Sequence, residues 1–268
     1  MPELTGAALW AVMVVVFAIG GLVIYFGYGG WLYRRYYVAR RQSAPDWKLQ
    51  PKRFVPDAMH RWAMRVAAVN MIIGGVLSGT FAYFVHTRGI SALYLEIDDY
   101  SWAYTALSTV VMFFAIEAAA YYTHRFLHNR WMFKNVHRWH HRVVAPTPLV
   151  TVTMHPAEFL LLQGATFLPV FFMPVYAPAF AFLLVYALVF NLMDHSGIRI
   201  KHSLPWHSSS SFHDDHHIHF HCNYGQHIAL FDRLHGTHRR YGRRYGKDVF
   251  GGKGTTVEGR EPGEYVEY

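Results

Sequence analysis

Three short strings, HRFLH, HRWHH and HDDHH, carry histidines at spacings that one face of a helix can gather. They set His124 and His128 at i, i+4, then His137, His140 and His141 at i, i+3, i+4, and His213, His216 and His217 at the same spacing. Residues three or four apart on a helix are neighbours, so each string presents its imidazoles as one cluster. A single such pair is as readily a solvated face or a satisfied polar contact. Eight together are harder to explain that way, because close imidazoles without a metal crowd cationic groups on protonation. Of the 19 histidines, 17 lie between His124 and His238, so the enrichment is regional. Eight ligands exceed what one zinc takes, and two metals fit the count. Imidazole suits iron as well as zinc. The single cysteine, Cys222, excludes a thiolate cage, a CxxC redox pair and an internal disulfide.

The elements that must position these strings are apolar. The chain has 268 residues, 53% hydrophobic, 17% aromatic and only 16% charged. Its formal charge of +8 reads as cytoplasmic loop charge, and no nucleic-acid motif is present. A first span at about 7–28 is followed by Arg34, Arg35, Arg40 and Arg41, which by the positive-inside rule puts the N-terminus outside. The run is too long for a cleaved signal peptide. The polar linker 42–56, with Lys48, Lys52 and Arg53, is expected on the cytoplasmic membrane surface. Spans at about 66–84 and 102–122 follow, the second delivering His124. Apolar runs at 156–173 and 176–193, separated by Pro174, read as a helical hairpin, and their lengths leave open whether it crosses or dips. All histidine strings then share one membrane side with the arginines. The fold expected is all-α: an integral membrane helical bundle with a cytoplasmic histidine-rich cap. One domain is expected over 1–246, with a flexible tail at 247–268 that lacks any hydrophobic period.

A membrane-embedded pocket implies an apolar substrate, and no HExxH protease motif is present. Unactivated C–H bonds in a lipid call for a redox metal and dioxygen. Two other classes compete. A membrane haem protein would place few histidines in mid-span, whereas these crowd at span ends. A zinc-binding or transport protein would carry acidic residues along its spans, where only Glu117 occurs.

The three strings, in this order and with a hydrophobic hairpin between the second and third, resemble the fatty acid hydroxylase and sterol desaturase superfamily of membrane-bound diiron oxygenases. The stretches APTPLVTVTMHPAE, MDHSG and NYGQHIALFDRLHGT strengthen the resemblance, which covers about 124–237. APTPL and NYGQH are most similar to sterol C5-desaturases, while HPAE and DHSG are also similar to sterol C4-methyl oxidases. The resemblance implies two iron ions, dioxygen as cosubstrate, and His124, His128, His137, His140, His141, His213, His216 and His217 as ligands with His195 a ninth. Zinc could replace iron in purified protein. The product is an alcohol or an alkene, and the ligand set does not choose.

Around this set, His155 is either a further ligand or a second-ring group, unless it only caps the helix opened by Pro156. Asp194, Asp214 and Asp215 stand beside ligands, and Asp194 and Asp214 are expected to orient them. Glu117 should face the bundle interior, where its plain structural reading is a buried carboxylate paired with a histidine. His219 points away from the HDDHH face, and His221 is expected behind it, with the helix ending near Asn223 and Gly225 free to turn left-handed. His202 and His207 read as loop or substrate-mouth residues, and His227, His235 and His238 as interfacial or supporting. The chain has no HPGG haem module, cysteine cluster or GxGxxG fingerprint, so two electrons must come from a separate donor, a ferredoxin or cytochrome b5-like protein with its reductase. The run HRRYGRRYGK, 238–247, suits that donor or anionic headgroups. A bacterial inner membrane fits better than endoplasmic reticulum.

Overall fold

A computed structural model describes residues 6–201, 204, 206–246, 249, 250, 252, 254–257 and 263–266. Four helices are long and apolar enough to cross a membrane: Gly6–Val38, Asp57–Arg88, Trp102–Leu127 and Ala177–Asp194. The first is a continuous rod made of α1 (Gly6–Val23), α2 (Gly29–Tyr33) and two π-helical turns, Ile24–Tyr28 and Arg34–Val38. It buries nothing along α1 and faces lipid on most sides. The partner of α1 is α4 (Asp57–Arg88), where Gly75 and Gly79 lie so near Ala18 and Val14 that a Cβ on either would strike the α1 backbone. Small residues four apart let two membrane helices approach, and dispersion then holds them.

The linker departs from expectation. Its first part folds inward as the short helix α3 (Ala44–Trp47), with Ala44, Trp47 and Lys48 buried, while Lys52 and Arg53 stay exposed. Trp47 and Ala44 complete a core with Leu32, Tyr37 and Ile198, and this burial outweighs the polarity of their neighbours. Two backbone bonds lock the segment to the chain just after the fourth long helix: Leu49 N–H donates to Gly197 O at 3.0 Å and Arg199 N–H to Trp47 O at 2.6 Å.

Helix α4 has 32 residues, about 48 Å of helix, so it projects beyond a hydrocarbon core of about 30 Å. It stops at Gly89, whose φ of +60° is the left-handed turn that glycine tolerates. Helix α5 (Trp102–Leu127) begins where Ser101 Oγ accepts the Tyr104 N–H at 3.2 Å. After α6 (Arg130–Asn135) come the hairpin arms α7 (Pro156–Phe167), extended to Phe171 by a 3-10 turn, and α8 (Ala177–Asp194). The hairpin tip pairs in parallel with the loop between α4 and α5, β2 (Val175–Tyr176) against β1 (Leu93–Tyr94). The hairpin therefore runs the length of the bundle. Met112, Ile116, Val170, Val175, Phe180 and Leu183 form the core beneath that tip.

Helices α9 (Ser210–His219) and α10 (Leu230–His235) lie at the opposite end. Among the described residues of the tail, β4 (Thr255–Thr256) pairs antiparallel with β3 (Arg243–Arg244), and Arg240 stacks 4.0 Å over the Tyr265 ring.

Candidate metal centre

Each histidine string sits at the end of an element. His124 is in the last turn of α5 and His128 is its C-cap, His195 is the C-cap of α8, and His213, His216 and His217 lie on α9. HRWHH departs from the helix its spacing predicts: His137–Arg142 is a 3-10 helix, whose three-residue turn still sets His137 and His140 on one side. All nine imidazoles are buried, none more than 5% exposed.

They form two groups. His124, His128, His137, His141 and His216 make one, and His140, His195, His213 and His217 the other, with candidate ligand atoms in each group within 4.8 Å of one another. In the first, His137 Nε2 is 2.9 Å from His128 Nε2 and 3.1 Å from His141 Nε2, and His216 Nε2 is 3.2 Å from His141 Nε2. In the second, His195 Nε2 is 2.8 Å from His213 Nε2 and 3.3 Å from His140 Nε2.

Protons alone do not account for this packing. His124, His195 and His216 donate Nδ1–H to the carbonyls of Tyr224, Asn191 and Cys222 at 2.8, 3.0 and 2.7 Å, and His137 donates to Glu158 Oε1 at 2.7 Å. In a neutral ring the Nδ1 proton leaves Nε2 a bare lone pair. His141 Nε2 then meets three neighbouring Nε2 atoms, His128 at 3.3 Å among them, with one proton at most to offer. The Nε2 atoms of His124 and His217 are buried with no hydrogen-bond partner among the described residues. A cation at the centre of each group removes the repulsion, because ligand nitrogens about 2.1 Å from a metal stand about 3.0–3.4 Å apart, close to the observed spacing. Burial first, then neighbouring imidazoles, hold His128, His140, His141, His213 and His217 well below the ordinary histidine range. Burial likewise lowers His195 to about 4. These rings are neutral at pH 7, the form that binds a metal.

The supporting ring differs from expectation. Asp194 pairs with His207 (3.4 Å), and Asp214 accepts from Gln50 Nε2 at 3.0 Å, so neither carboxylate bonds to a clustered imidazole. Backbone carbonyls and Glu158 do that orienting, and Glu158 had no assigned role despite standing in the HPAE stretch. His155 is corrected as well. It is the N-cap of α7, its Nδ1 accepting the Ala157 N–H at 3.1 Å, and it belongs to neither group. Its ring packs edge-on against Trp139, with centroids 4.8 Å apart. Helix α9 ends at His219, with Phe220 (φ 67°) and Asn223 (φ 54°) taking the left-handed turns expected of Gly225. Gly225 is required for closeness instead, since a Cβ would strike Ile228 O and lie 2.8 Å from Asp232 Oδ2. Asp232 pins this turn by accepting the Tyr224 and Gly225 N–H groups at 2.8 and 2.7 Å, so that Tyr224 O can hold His124.

His221 lies behind the first group, its Nδ1 3.4 Å from His128 Nδ1, while His219 pairs outside both groups with Asp215 at 3.9 Å. Glu117 faces inward as expected and accepts from His227 Nδ1 at 2.5 Å. His235 Nε2 meets the Tyr122 hydroxyl at 2.9 Å, and His238 is buried against Phe212. His202 lies outside the described residues. Lys48, read from sequence as a surface cation, is fully buried near Asp214 and over the Tyr37 and Phe54 rings, with no hydrogen-bond partner for Nζ among the described residues.

A cavity of about 380 Å³ runs from both groups into the bundle. His124, His137, His140, His195 and His213 stand at one end, and Phe17, Met71, Ile116, Phe159 and Leu188 are among its apolar walls.

The fatty acid hydroxylase family model matches residues 109–237. Among curated proteins, the chain is 32% identical over 163 residues to a Delta(7)-sterol 5(6)-desaturase of Gibberella zeae, covering 60% of this chain and 50% of that protein. It is 30% identical over 188 residues to lathosterol oxidase of Mus musculus, covering 69% and 58%. It is 31% identical over 177 residues to a Delta(7)-sterol 5(6)-desaturase of Schizosaccharomyces pombe, covering 66% and 59%. The chain thus spans between half and three-fifths of the length of these relatives. No solved structure matches it.

Proposed function

We propose that this chain, which belongs to the fatty acid hydroxylase and sterol desaturase superfamily, is an integral-membrane oxygenase that oxidises an unactivated C–H position of a lipid with dioxygen and two external electrons. The observation that carries the reading is the convergence of two buried imidazole groups on one end of an apolar cavity among membrane-spanning helices. His124, His128, His137, His141 and His216 would hold one iron, and His140, His195, His213 and His217 the other. Bound there, the iron pair supplies reductive activation of dioxygen and removal of hydrogen from the lipid carbon. The protein supplies the rest. Glu158, Asn191, Tyr224 and Cys222 fix the Nδ1 tautomers, so that every corresponding Nε2 faces inward. The apolar walls exclude water and hold the lipid against the histidines. The names of the relatives favour a sterol-like substrate and loss of two hydrogens, with hydroxylation the second outcome.

Arg34 and Arg35 end the first span on the histidine side, which supports a cytoplasmic active face, in a bacterial inner membrane. A ferredoxin or cytochrome b5-like donor with its reductase would deliver the electrons there, the 238–247 run being one landing surface. Protein made under iron-replete conditions should contain two irons per chain and consume substrate only with dioxygen and a donor. Lipid mass spectrometry should show a loss of about two mass units for desaturation or a gain of about sixteen for hydroxylation. Stoichiometric zinc from iron-replete cells, with no turnover, would overturn the reading.

A further inference from the structure

Beside the four-histidine group the cavity wall carries a polar pair that the metal centre does not use. Asn191, in the last turn of α8, and Gln226, in the loop between α9 and α10, both line the cavity, and the Asn191 amide donates to Gln226 Oε1 at 3.3 Å. Among the described residues, Asn191 Oδ1 and the Gln226 amide nitrogen make no hydrogen bond, so the pair brings one acceptor and one donor to the cavity wall. The Asn191 backbone carbonyl accepts the His195 Nδ1–H at 3.0 Å, which places this pair within one residue of a clustered imidazole. Behind it, His227 is pinned by Glu117 and also lines the cavity. The cavity has a second polar pair, Ser78 and Gln163 at 3.3 Å, but that bond joins α4 to α7 directly and serves as a tie between two membrane helices.

Resting on the reading of this cavity as the substrate site, we propose that Asn191 and Gln226 are the residues that bind a hydroxyl oxygen of the substrate, and that their grip on it fixes how the lipid lies in the cavity. A hydroxyl offers one donor and two acceptor lone pairs. It can donate to Asn191 Oδ1 while accepting from the Gln226 amide, completing both groups. A hydrocarbon of the same shape leaves both unpaired in an apolar cavity, and a site built to hydrogen-bond a hydroxyl rejects the analogue that lacks it. Asn191 and Gln226 are thus specificity-determining residues, setting which carbon stands over the histidines.

The test is equilibrium binding of two matched pairs, cholestanol against cholestane and octadecanol against octadecane, to the iron-loaded protein in lipid nanodiscs. In the wild type at least one alcohol should bind about tenfold or more tightly than its parent hydrocarbon, a gap expected of two hydrogen bonds to a neutral group. In Asn191→Leu/Gln226→Leu that ratio should fall to about twofold or less while hydrocarbon affinity is kept, which also reports an intact cavity. If the double variant loses hydrocarbon binding, Gln226→Met, changed only in a loop, replaces it, with the same fall in ratio expected. Equal affinities within both pairs in the wild type, or an alcohol preference that survives the substitutions, overturns the proposal. Turnover is read separately. Alcohol selectivity without iron- and dioxygen-dependent consumption would refute the oxygenase and leave the alcohol site standing.

Discussion

Glu158 offers the sharpest test of how the metal centre is held. Its Oε1 accepts the His137 Nδ1–H at 2.7 Å, with both side chains 1% exposed. Glu158→Ala leaves that N–H buried without an acceptor, at a cost of about 1–3 kcal/mol. At about 1.4 kcal/mol per factor of ten, metal affinity should fall about 5- to 150-fold, within the range usual for partners of metal-bound histidines. His137 belongs to the five-histidine group, so the loss should fall on one metal, and the occupancy curve measured against a competing chelator should become biphasic. Glu158→Gln keeps an acceptor oxygen in place and should retain most of the affinity. The reasoning is refuted if Glu158→Ala protein, folded by its near-UV spectrum, binds two metals as tightly as wild type, or if Gln and Ala lose affinity equally.

Four further outcomes are expected. His155→Ala should cost about 1 kcal/mol of stability through loss of the α7 cap while metal content stays unchanged, checked by thermal unfolding and metal analysis. Gly225→Ala should drive a Cβ into Ile228 O, displace the turn that carries Tyr224 O, and destabilise the fold by about 1–3 kcal/mol in denaturant titrations. Burial lowers Lys48 to about 8, whereas an unfolded lysine titrates near about 10.4. The folded chain therefore binds fewer protons between those values, stability should rise as pH increases from about 8 to 10, and Lys48→Met should flatten that slope. Chelation should lower the unfolding temperature, and both iron and zinc should restore it while only iron restores turnover, as followed by calorimetry beside an activity assay.

The histidine strings were legible because residues three and four apart stay near one another when the helix type changes, but the expectation of one cluster per string did not hold: His137 and His141 join one group and His140 the other, and HDDHH is divided in the same way. The spans were legible because about 20 apolar residues in a row have few other uses. What escaped were pairings between distant segments. Lys48 and Gln50 reach Asp214 only because α3 folds under the chain after α8, and nothing in a polar, proline-rich linker announces that. Glu158 and Asp232 stand in stretches already singled out, yet a lone carboxylate does not name its partner. His155 went astray because no spacing ties it to another histidine, and a ring placed just before a helix-opening proline serves in space as the cap of α7.

The nine imidazoles come from four stretches of chain, each at the cytoplasm-facing end of what precedes it in the proposed orientation, while the hairpin tip and β1 close the opposite end without them. The molecule can therefore be completed in two stages. Membrane insertion and glycine-mediated helix packing need no metal, whereas closure of the histidine end brings lone pairs together that only a cation reconciles. A chain made in iron-starved cells should be inserted but left open at that end, presenting its unsealed loops to quality-control proteases. Iron supply would then set the lifetime of the protein as well as its activity.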